Sequence, residues 1–267
     1  MTSPANPPLV SVVIPVHNAA ATIRAAIASV QAQTYPNWEI RAVEDGSTDS
    51  SPAILASLTA ADPRIQVQHL PAQSGPGPAR NAGIRAAKGR FIAFLDADDL
   101  WHPEKLTRQI GWMLANHHVL TCTAYTRVTV ATGIATPMGV PAHITRADLL
   151  KTNTIACSSA IYDTRHFGLR QMPALPKRQD FAFWLDLLKD ADAHGLNERL
   201  MTYHARPQSV SSAKGQAAVH TWRMYRRHLH LPLPKAAWYF TNYALRGVVR
   251  SRAPGLARRL GWLQAVK

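Results

Sequence analysis

One stretch of the sequence, residues 91–101, reads FIAFLDADDLW and places five apolar residues directly before three aspartates, Asp96, Asp98 and Asp99. A short apolar run that ends in acidic residues indicates a buried strand ending at a polar edge. Neighbouring carboxylates repel one another, and burying them is costly unless a cation lies between them. Their oxygen atoms suit Mg²⁺ or Mn²⁺, which also bind substrate phosphates. From these residues alone, an acidic turn in which Asp99 caps the next helix is equally compatible.

Charge is distributed very unevenly along the chain. The first 198 residues hold 17 Lys+Arg and 16 Asp+Glu, whereas residues 199–267 hold 13 Lys+Arg and no acidic residue. Aromatic side chains alternate with these arginines, a pattern that favours binding to an anionic membrane surface. A basic tail whose aromatic residues pack on the main domain is a second interpretation, and nucleic acid is the least favoured partner.

The size and composition predict a cytoplasmic protein with one large α/β domain and an appended segment. The chain has 267 residues, of which 46% are hydrophobic, enough to bury a core. Cys122 and Cys157 lie in apolar surroundings without CxxC spacing, so we expect structural thiols in a reducing compartment. The N-terminus lacks a signal-peptide pattern, and the apolar span 236–245 is too short to cross a bilayer. We expect a peripheral protein on the inner face of the cell membrane.

The first 130 residues alternate short apolar runs with helical patterns, which predicts a mainly parallel, Rossmann-like sheet flanked by helices. The predicted strands are residues 9–16, 39–44, 65–70 and 91–96, and the predicted helices are residues 20–33, 52–60, 78–87 and 103–115. Further on, residues 119–130 and 200–204 are predicted strands, and residues 144–153 and 181–193 are predicted helices. The predicted organisation is a catalytic domain over residues 1–214 and a basic, aromatic-rich helical extension over residues 215–267.

Three further segments follow predicted strands or open helices at the same edge of the sheet, where parallel sheets bind ligands. The first strand ends Ile14-Pro15-Val16-His17-Asn18, and its proline is expected to halt the ladder and free backbone groups for a planar ligand. The second strand ends with Asp45, which could accept a hydrogen bond from a base N–H or simply form an Asx-turn. A glycine-rich loop from Gly75 leads into a helix that carries Arg80, an arrangement suited to phosphate or ribose.

Together these segments resemble the family 2 glycosyltransferases of the GT-A fold, and the resemblance covers roughly residues 9–214. Four ordered motifs carry it: SVVIPVHN at 11–18, EDGSTD at 44–49, ARNAGI at 79–84 and LDADDLW at 95–101. It continues at RQDFAFWL, residues 178–185, and at YHARPQSVS, residues 203–211. The Gln-x-x-Arg-Trp element of processive members is absent, which favours the transfer of a single sugar.

The resemblance implies a role for each matching residue. The nucleotide pocket would be lined by Pro15, Val16 and His17, with Asp45 on the base, usually uracil, and Arg80 near base or phosphate. Asp96 would contact ribose or metal, and Asp98 would bind a divalent ion, Mg²⁺ or Mn²⁺, on the diphosphate. The remaining candidates for diphosphate or metal contacts are Asp99, His204, Arg206 and Lys214.

Asp180 is the candidate general base implied by the resemblance. An inverting transfer needs one carboxylate to take the proton of the acceptor hydroxyl as it attacks the anomeric carbon. The alternative interpretation is that Asp180 only caps the helix that follows it.

The predicted function is a metal-dependent, inverting transfer of one sugar from a nucleotide-diphosphate donor, a UDP-sugar, to a membrane-proximal glycan or lipid-linked saccharide. Such a reaction belongs to cell-surface polysaccharide or lipopolysaccharide biosynthesis. Two alternatives remain: a sugar-phosphate nucleotidyltransferase, whose basic N-terminal nucleotide-binding loop is lacking here, and a catalytically inactive module that binds membrane or nucleic acid.

Overall fold

Ten strands form one sheet in the part of the chain that the computed structural model describes, residues 7–206 and 214–266. The strands are β1 Val10–Val16, β2 Trp38–Glu44, β3 Ile65–His69, β4 Phe91–Phe94, β5 Leu100–Trp101, β6 Leu120–Thr129, β7 Ala135–Met138, β8 His143–Ile144, β9 Ile161–Asp163 and β10 Ala193–Ala205. Their spatial order is β3-β2-β1-β4-β9-β6-β10-β5, with β7 paired to β6 and β8 paired to β10.

Helices cover both faces of this sheet. They are α1 Ile23–Gln31, α2 Ser51–Ala61, α3 Pro76–Ala86, α4 Lys105–Ala115, α5 Arg146–Lys151, α6 Thr164–Phe167, α7 Gln179–Leu187, α8 Lys214–Arg223, α9 Leu233–Arg252 and α10 Pro254–Arg259. A 3₁₀ turn spans Cys157–Ser159, and a π-helical turn spans Met224–His228.

The predicted parallel core of the sheet is confirmed. β1 pairs in parallel with β2 and β4, β2 with β3, and β6 with β10. Antiparallel pairing is confined to β9 and the short strands β5, β7 and β8. Because the parallel strands run together, the carboxyl ends of β1, β2 and β4 meet at one edge.

The bounds of the predicted elements differ from the observed ones, and the strand predicted over 200–204 is part of the longer β10, Ala193–Ala205. The strand predicted over 91–96 stops at Phe94, because the backbone N–H of Asp96 turns away to a serine hydroxyl, that of Ser158. The helix predicted over 181–193 begins at Gln179 and ends at Leu187, and Ala193 already pairs with β8. The helix predicted over 144–153 is shorter, since Thr145 forms a capping box with Asp148.

Apolar side chains fill the space on both sides of the sheet. On one side α1, α2 and α4 pack against β1, and the buried stripe of α1 is Ile23, Ala26, Ile27 and Val30. On the other side α3, α7 and the C-terminal helices cover the sheet around Phe94, Tyr162 and Trp184. The two layers hold the strand ends in fixed positions.

The C-terminal helices pack onto the second of these layers. Tyr225 is fully buried and its hydroxyl donates to the backbone oxygen of Leu150, while Tyr243 stacks on Phe181 with ring centroids 6.2 Å apart. The packing interpretation therefore holds for these aromatic residues. The proposed division of the chain at residue 214 stays a prediction. Among the described residues, no helix combines the length and the apolar character needed to span a bilayer.

Candidate active site

The ends of β1 and β2 hold the predicted nucleotide-binding residues together. Pro15 and Val16 pair with Val43 and Glu44 of β2, so the ladder with β2 continues through the proline, contrary to expectation. Pairing with β4 ends earlier, at Val13, because the proline ring has no N–H to donate. The half-buried His17 ring follows, and its Nδ1 donates to the backbone oxygen of Asp45 at 2.9 Å.

Asp45 anchors the glycine-rich loop. Its two carboxylate oxygens accept hydrogen bonds from the backbone N–H groups of Ser74 at 2.6 Å and Gly75 at 2.8 Å. Gly75 has a φ of 92°, a left-handed conformation that glycine adopts without a side-chain clash. The side chain of Asp45 is thus already partnered, so a base N–H would have to share one of these oxygens or displace the loop.

A buried ion pair joins α3 to the aspartates after β4. The guanidinium of Arg80, which is 6% exposed, lies 2.5 Å from a carboxylate oxygen of Asp96. Burial alone would lower the pKa of Arg80, but the charge of Asp96 and smaller effects of Cys157 and Asp180 raise it instead. Within the described residues, Nε of Arg80 is buried without a hydrogen-bond partner, so this side chain retains a donor for a ligand oxygen.

Ser158 holds residues 96–99, which we call the aspartate turn, through two hydrogen bonds. Its hydroxyl accepts from the backbone N–H of Asp96 at 3.1 Å and donates to Asp99 at 2.6 Å. The other carboxylate oxygen of Asp99 accepts from the backbone N–H of His204 at 3.1 Å. Asp99 is 1% exposed, and burial, reinforced by the charge of Asp96, raises its pKa well above its ordinary value. The geometry therefore gives Asp99 a supporting position under the turn.

Asp98 is the most exposed carboxylate of the aspartate turn, with 37% of its side chain accessible. Burial and then the charge of Asp96 raise its pKa, while Nε of Arg206 lies 3.4 Å from its carboxylate. The ring of His204 donates through Nδ1 to the backbone oxygen of Asp98 at 2.6 Å, which puts the lone pair of the neutral ring on Nε2.

This donor set fits a divalent cation that also binds a diphosphate. The described residues contain no cluster of three or more His, Cys, Asp or Glu side chains able to enclose a metal. Mg²⁺ usually takes only one or two protein carboxylates and completes its shell with water and phosphate oxygens. Two crowded carboxylates at an open edge, Asp96 and Asp98, meet that requirement.

Asp180 lies in the first turn of α7, on the same side of the molecule as Arg80. The residue that caps this helix is Arg178, with no side-chain capping hydrogen bond, so the capping interpretation of Asp180 does not hold. Half-buried Asp180 acts electrostatically on Arg80 and on Cys157. A Cβ on Gly77 would lie 2.9 Å from Cγ of Gln179, so the glycine lets the starts of α3 and α7 pack closely.

The remaining candidates lie at or beyond the limits of this site. His204 is the next-to-last residue of β10, and exposed Arg206 directly follows that strand; both residues lie beside Asp98. Lys214 opens α8, but its side chain lies outside the described residues. Sequence reasoning missed Ser158, which lies far along the chain from the aspartates; the buried polar pair Ser158 and Ser159 within an apolar segment was its signal.

Most residues of this site lie within a segment that matches a known protein family. Residues 11–174, which include all of β1 except Val10, the aspartate turn and Ser158, match the family model described as Glycosyl transferase family 2. The chain belongs to family 2 of the glycosyltransferases. The predicted family membership is confirmed.

Relatives of this family 2 glycosyltransferase match it over most of its length. It is 39% identical to the putative teichuronic acid biosynthesis glycosyltransferase TuaG of Bacillus subtilis, over 90% of this chain and 96% of TuaG. It is 33% identical to the UDP-Glc:alpha-D-GlcNAc-diphosphoundecaprenol beta-1,3-glucosyltransferase WfgD of Escherichia coli, over 90% of this chain and 94% of WfgD.

Solved structures confirm the GT-A fold of the glycosyltransferase. TarS 1–349 of S. aureus in complex with UDP-GlcNAc superimposes with a TM-score of 0.71 at 20% identity, covering 94% of this chain and 75% of TarS. The mannosyltransferase PcManGT of Pyrobaculum calidifontis, in complex with GDP-Man and Mn²⁺, superimposes with a TM-score of 0.67 at 16% identity, covering 97% of this chain and 80% of PcManGT.

Proposed function

We propose that this glycosyltransferase transfers one sugar from a UDP-sugar, with inversion, to a membrane-proximal glycan or lipid-linked saccharide. The observation that carries the proposal is the meeting of three groups at one sheet edge. The Arg80–Asp96 ion pair, the open carboxylate of Asp98 and the helix start that carries Asp180 lie together there.

The donor nucleotide would lie over the ends of β1 and β2. Pro15, Val16 and His17 would line its pocket. Asp45, which anchors the glycine-rich loop, would bind the base. The unpartnered Nε of Arg80 would donate to a phosphate or ribose oxygen. The choice of uracil is supported by relatives named for UDP-Glc and by the UDP and UDP-GlcNAc complexes of TarS.

The diphosphate would lie beside the aspartate turn. Asp98, with Asp96, would hold a divalent ion, Mg²⁺ or Mn²⁺, which when bound neutralises charge on the departing nucleoside diphosphate. Arg206 would add a positive charge at the same place, and His204 would keep Asp98 oriented through its backbone. Asp99 would act only through Ser158 and His204, by fixing the turn.

Asp180 would accept the proton of the acceptor hydroxyl. As the acceptor oxygen forms its bond to the anomeric carbon, the bond from that carbon to the diphosphate breaks, and the nucleoside diphosphate leaves from the opposite face. Inversion follows because attack and departure occur on opposite sides. Asp180 lies in the first turn of α7 and acts electrostatically on Arg80, so the proposed base would lie beside the proposed donor site.

The acceptor is expected at the membrane, in cell-surface polysaccharide or lipopolysaccharide biosynthesis. WfgD and WfaP are named for a diphosphoundecaprenol-linked acceptor, and TuaG for teichuronic acid biosynthesis. Seven of the ten large apolar side chains exposed in the described residues lie in the C-terminal helices or directly after them: Val219, Leu233, Trp238, Leu245, Val248, Leu256 and Leu260. Together with the basic charge of residues 215–267, they would hold the protein peripherally on the inner membrane face. Nucleic acid is not the proposed partner.

A panel of nucleotide sugars tests the reaction class. Donors are incubated with the protein, undecaprenyl-diphosphate-linked acceptors and either Mn²⁺ or EDTA, and the released nucleotide is identified. Metal-dependent release of UDP, with one sugar added to the acceptor in inverted configuration, is expected. Release of pyrophosphate from a nucleoside triphosphate and a sugar phosphate would establish the nucleotidyltransferase instead, and no turnover with any donor would favour the inactive binding module.

A further inference from the structure

A cavity with no role in the reaction described above lies between the C-terminal helices and the catalytic fold. It has a volume of about 180 Å³, and Tyr125, Asp148, Thr154, Arg246, Arg250 and Trp262 are among the residues that line it. The segment after α10 forms one wall: the backbone oxygen of Ala265 accepts from Asn197 at 2.7 Å. We call this space the arginine cavity.

Two arginines one helical turn apart on α9 give this cavity its chemistry. Arg250 donates through Nη1 to the hydroxyl of Thr152 at 2.7 Å, and the guanidinium carbon of Arg246 lies 5.2 Å from the centre of the Trp262 ring. In the described residues, Nε of Arg246 and the hydroxyl of Thr154 are buried without a hydrogen-bond partner. A buried donor without an acceptor costs free energy unless a ligand accepts its hydrogen bond. Planar guanidinium groups match the geometry of phosphate oxygens.

The acidic residue of the cavity does not cancel this charge. The carboxylate of Asp148 accepts from Thr145 at 2.6 Å and lies 3.8 Å from Nζ of Lys151. His143, a further lining residue, is paired with Asp192 at 2.8 Å. Two arginines therefore face a single carboxylate that already has a hydrogen-bond donor and a neighbouring lysine, so the cavity favours an anion.

Two short connections place the arginine cavity beside the candidate active site. Thr154 precedes the turn Cys157–Ser159 by three residues, and that turn holds the aspartate turn through Ser158. Arg246 follows Tyr243 by three residues on α9, and the hydroxyl of Tyr243 accepts from Arg178 at 2.8 Å, two residues before Asp180. Three residues span about 5 Å in a helix and at most about 10 Å when extended, so the cavity lies near both elements that position the candidate active site.

We propose that the arginine cavity binds the phosphate or diphosphate group through which an acceptor sugar is linked to its lipid. The inference rests on the proposed transfer to a lipid-linked saccharide. Arg246 and Arg250 would hold the diphosphate, the Thr154 hydroxyl would donate to it, and the attached sugar would extend toward Asp180. The cavity thus selects acceptors by the charged group next to their first sugar.

Calorimetric titration with inorganic pyrophosphate in EDTA tests the binding site without requiring any transfer. The wild-type protein is expected to bind, and Arg246→Ala/Arg250→Ala to bind at least about tenfold more weakly. The matched control, Arg252→Ala/Arg259→Ala, removes the same charge from exposed positions of α9 and α10 and should bind like wild type. Equal binding by the two double variants, or none by the wild type, overturns the proposal even if the protein transfers sugar.

Kinetics then identify the source of the phosphate. With a diphosphate-linked lipid acceptor, Arg246→Ala/Arg250→Ala should raise the acceptor KM about tenfold or more and leave the donor KM unchanged. With the same saccharide as an uncharged alkyl glycoside, variant and wild type should behave alike. If Arg246→Ala/Arg250→Ala instead no longer sediments with anionic vesicles but keeps the wild-type acceptor KM, the cavity binds phospholipid headgroups and the acceptor proposal is overturned. Arg246→Lys/Arg250→Lys, which keeps the charge, should recover part of the affinity if the alanine variant unfolds.

Discussion

The side-chain hydroxyl of Ser158 donates a 2.6 Å hydrogen bond to the buried carboxylate of Asp99. Because the same oxygen accepts from the backbone N–H of Asp96, one small side chain fixes both ends of the aspartate turn. The relative positions of the Asp96 and Asp98 carboxylates therefore depend on Ser158, which would contact neither the nucleotide-sugar donor nor the metal. Ser158 is therefore a positioning residue in the proposed reaction.

Ser158→Ala should weaken the Mn²⁺-dependent part of UDP binding by about tenfold or more, because supporting residues of metal ligands commonly contribute that much. Calorimetry of UDP binding with Mn²⁺ and with EDTA separates this part from binding of the base. Ser159→Ala is the control, since it removes a neighbouring buried hydroxyl that bonds to Ala156, away from the turn. Identical Mn²⁺ dependence in both variants would refute the positioning role.

Asp180→Asn should lower kcat by about 100- to 10,000-fold, the usual contribution of a general base, while the affinity for UDP-sugar changes little. Single-turnover transfer and equilibrium donor binding measure the two quantities. Asp186→Asn on the same helix serves as the control, because Asp186 pairs with His228 and Lys189 outside the site. Near-normal transfer by Asp180→Asn would mean that another residue takes the proton.

Lys105 makes the stability of the protein depend on pH. It is fully buried, and burial lowers its pKa from 10.5 to about 7. Between these values the unfolded chain binds more protons than the folded one, so the free energy of unfolding should rise with pH across this window. Lys105→Met should remove about 1 kcal/mol per pH unit of that rise between pH 7.5 and 8.5.

Urea unfolding of the wild type and of Lys105→Met at several pH values in that range measures the difference in slope. Exposed Lys189→Met is the control and should leave the slope unchanged, since its ammonium lies at the surface beside Asp186. Parallel pH curves for Lys105→Met and wild type would show that Lys105 stays protonated in the folded protein.

The exposed apolar residues of α9 should hold the protein on anionic vesicles. Trp238, Leu245 and Val248 are 64%, 51% and 49% exposed and lie along one face of the helix. Trp238→Ser/Leu245→Ser should reduce sedimentation with anionic vesicles by about tenfold or more, because each buried apolar side chain contributes more than about 1.4 kcal/mol.

The control for this experiment replaces exposed apolar residues that lie outside the C-terminal helices. Val130→Ser/Ile134→Ser replaces side chains that are 50% and 61% exposed around the turn after β6. Equal sedimentation of both double variants would defeat the assignment of α9, and equal binding to neutral and anionic vesicles would defeat the role of the basic charge.

The sequence was sufficient for the features that depend on neighbouring residues. The buried stripe of α1, the apolar run of β4 and the aspartates after it are local patterns, and the structure places them as predicted. Partners across the fold were not predictable in this way. Nothing near Asp45 in the chain indicates that Ser74 and Gly75 bind its carboxylate, and nothing near Asp99 points to Ser158.

Helix α9 has a second consequence, which concerns distance from the lipid. Its outer face carries Trp238 and Leu245, and from another face Tyr243 reaches Arg178 at the start of the helix that holds Asp180. A helix with side chains is only about 10 Å thick. If the outer face rests on the bilayer, α9 fixes the distance between the bilayer and the reaction site. The enzyme would then reach sugars close to the lipid, whereas the ends of long glycans would lie too far from the site.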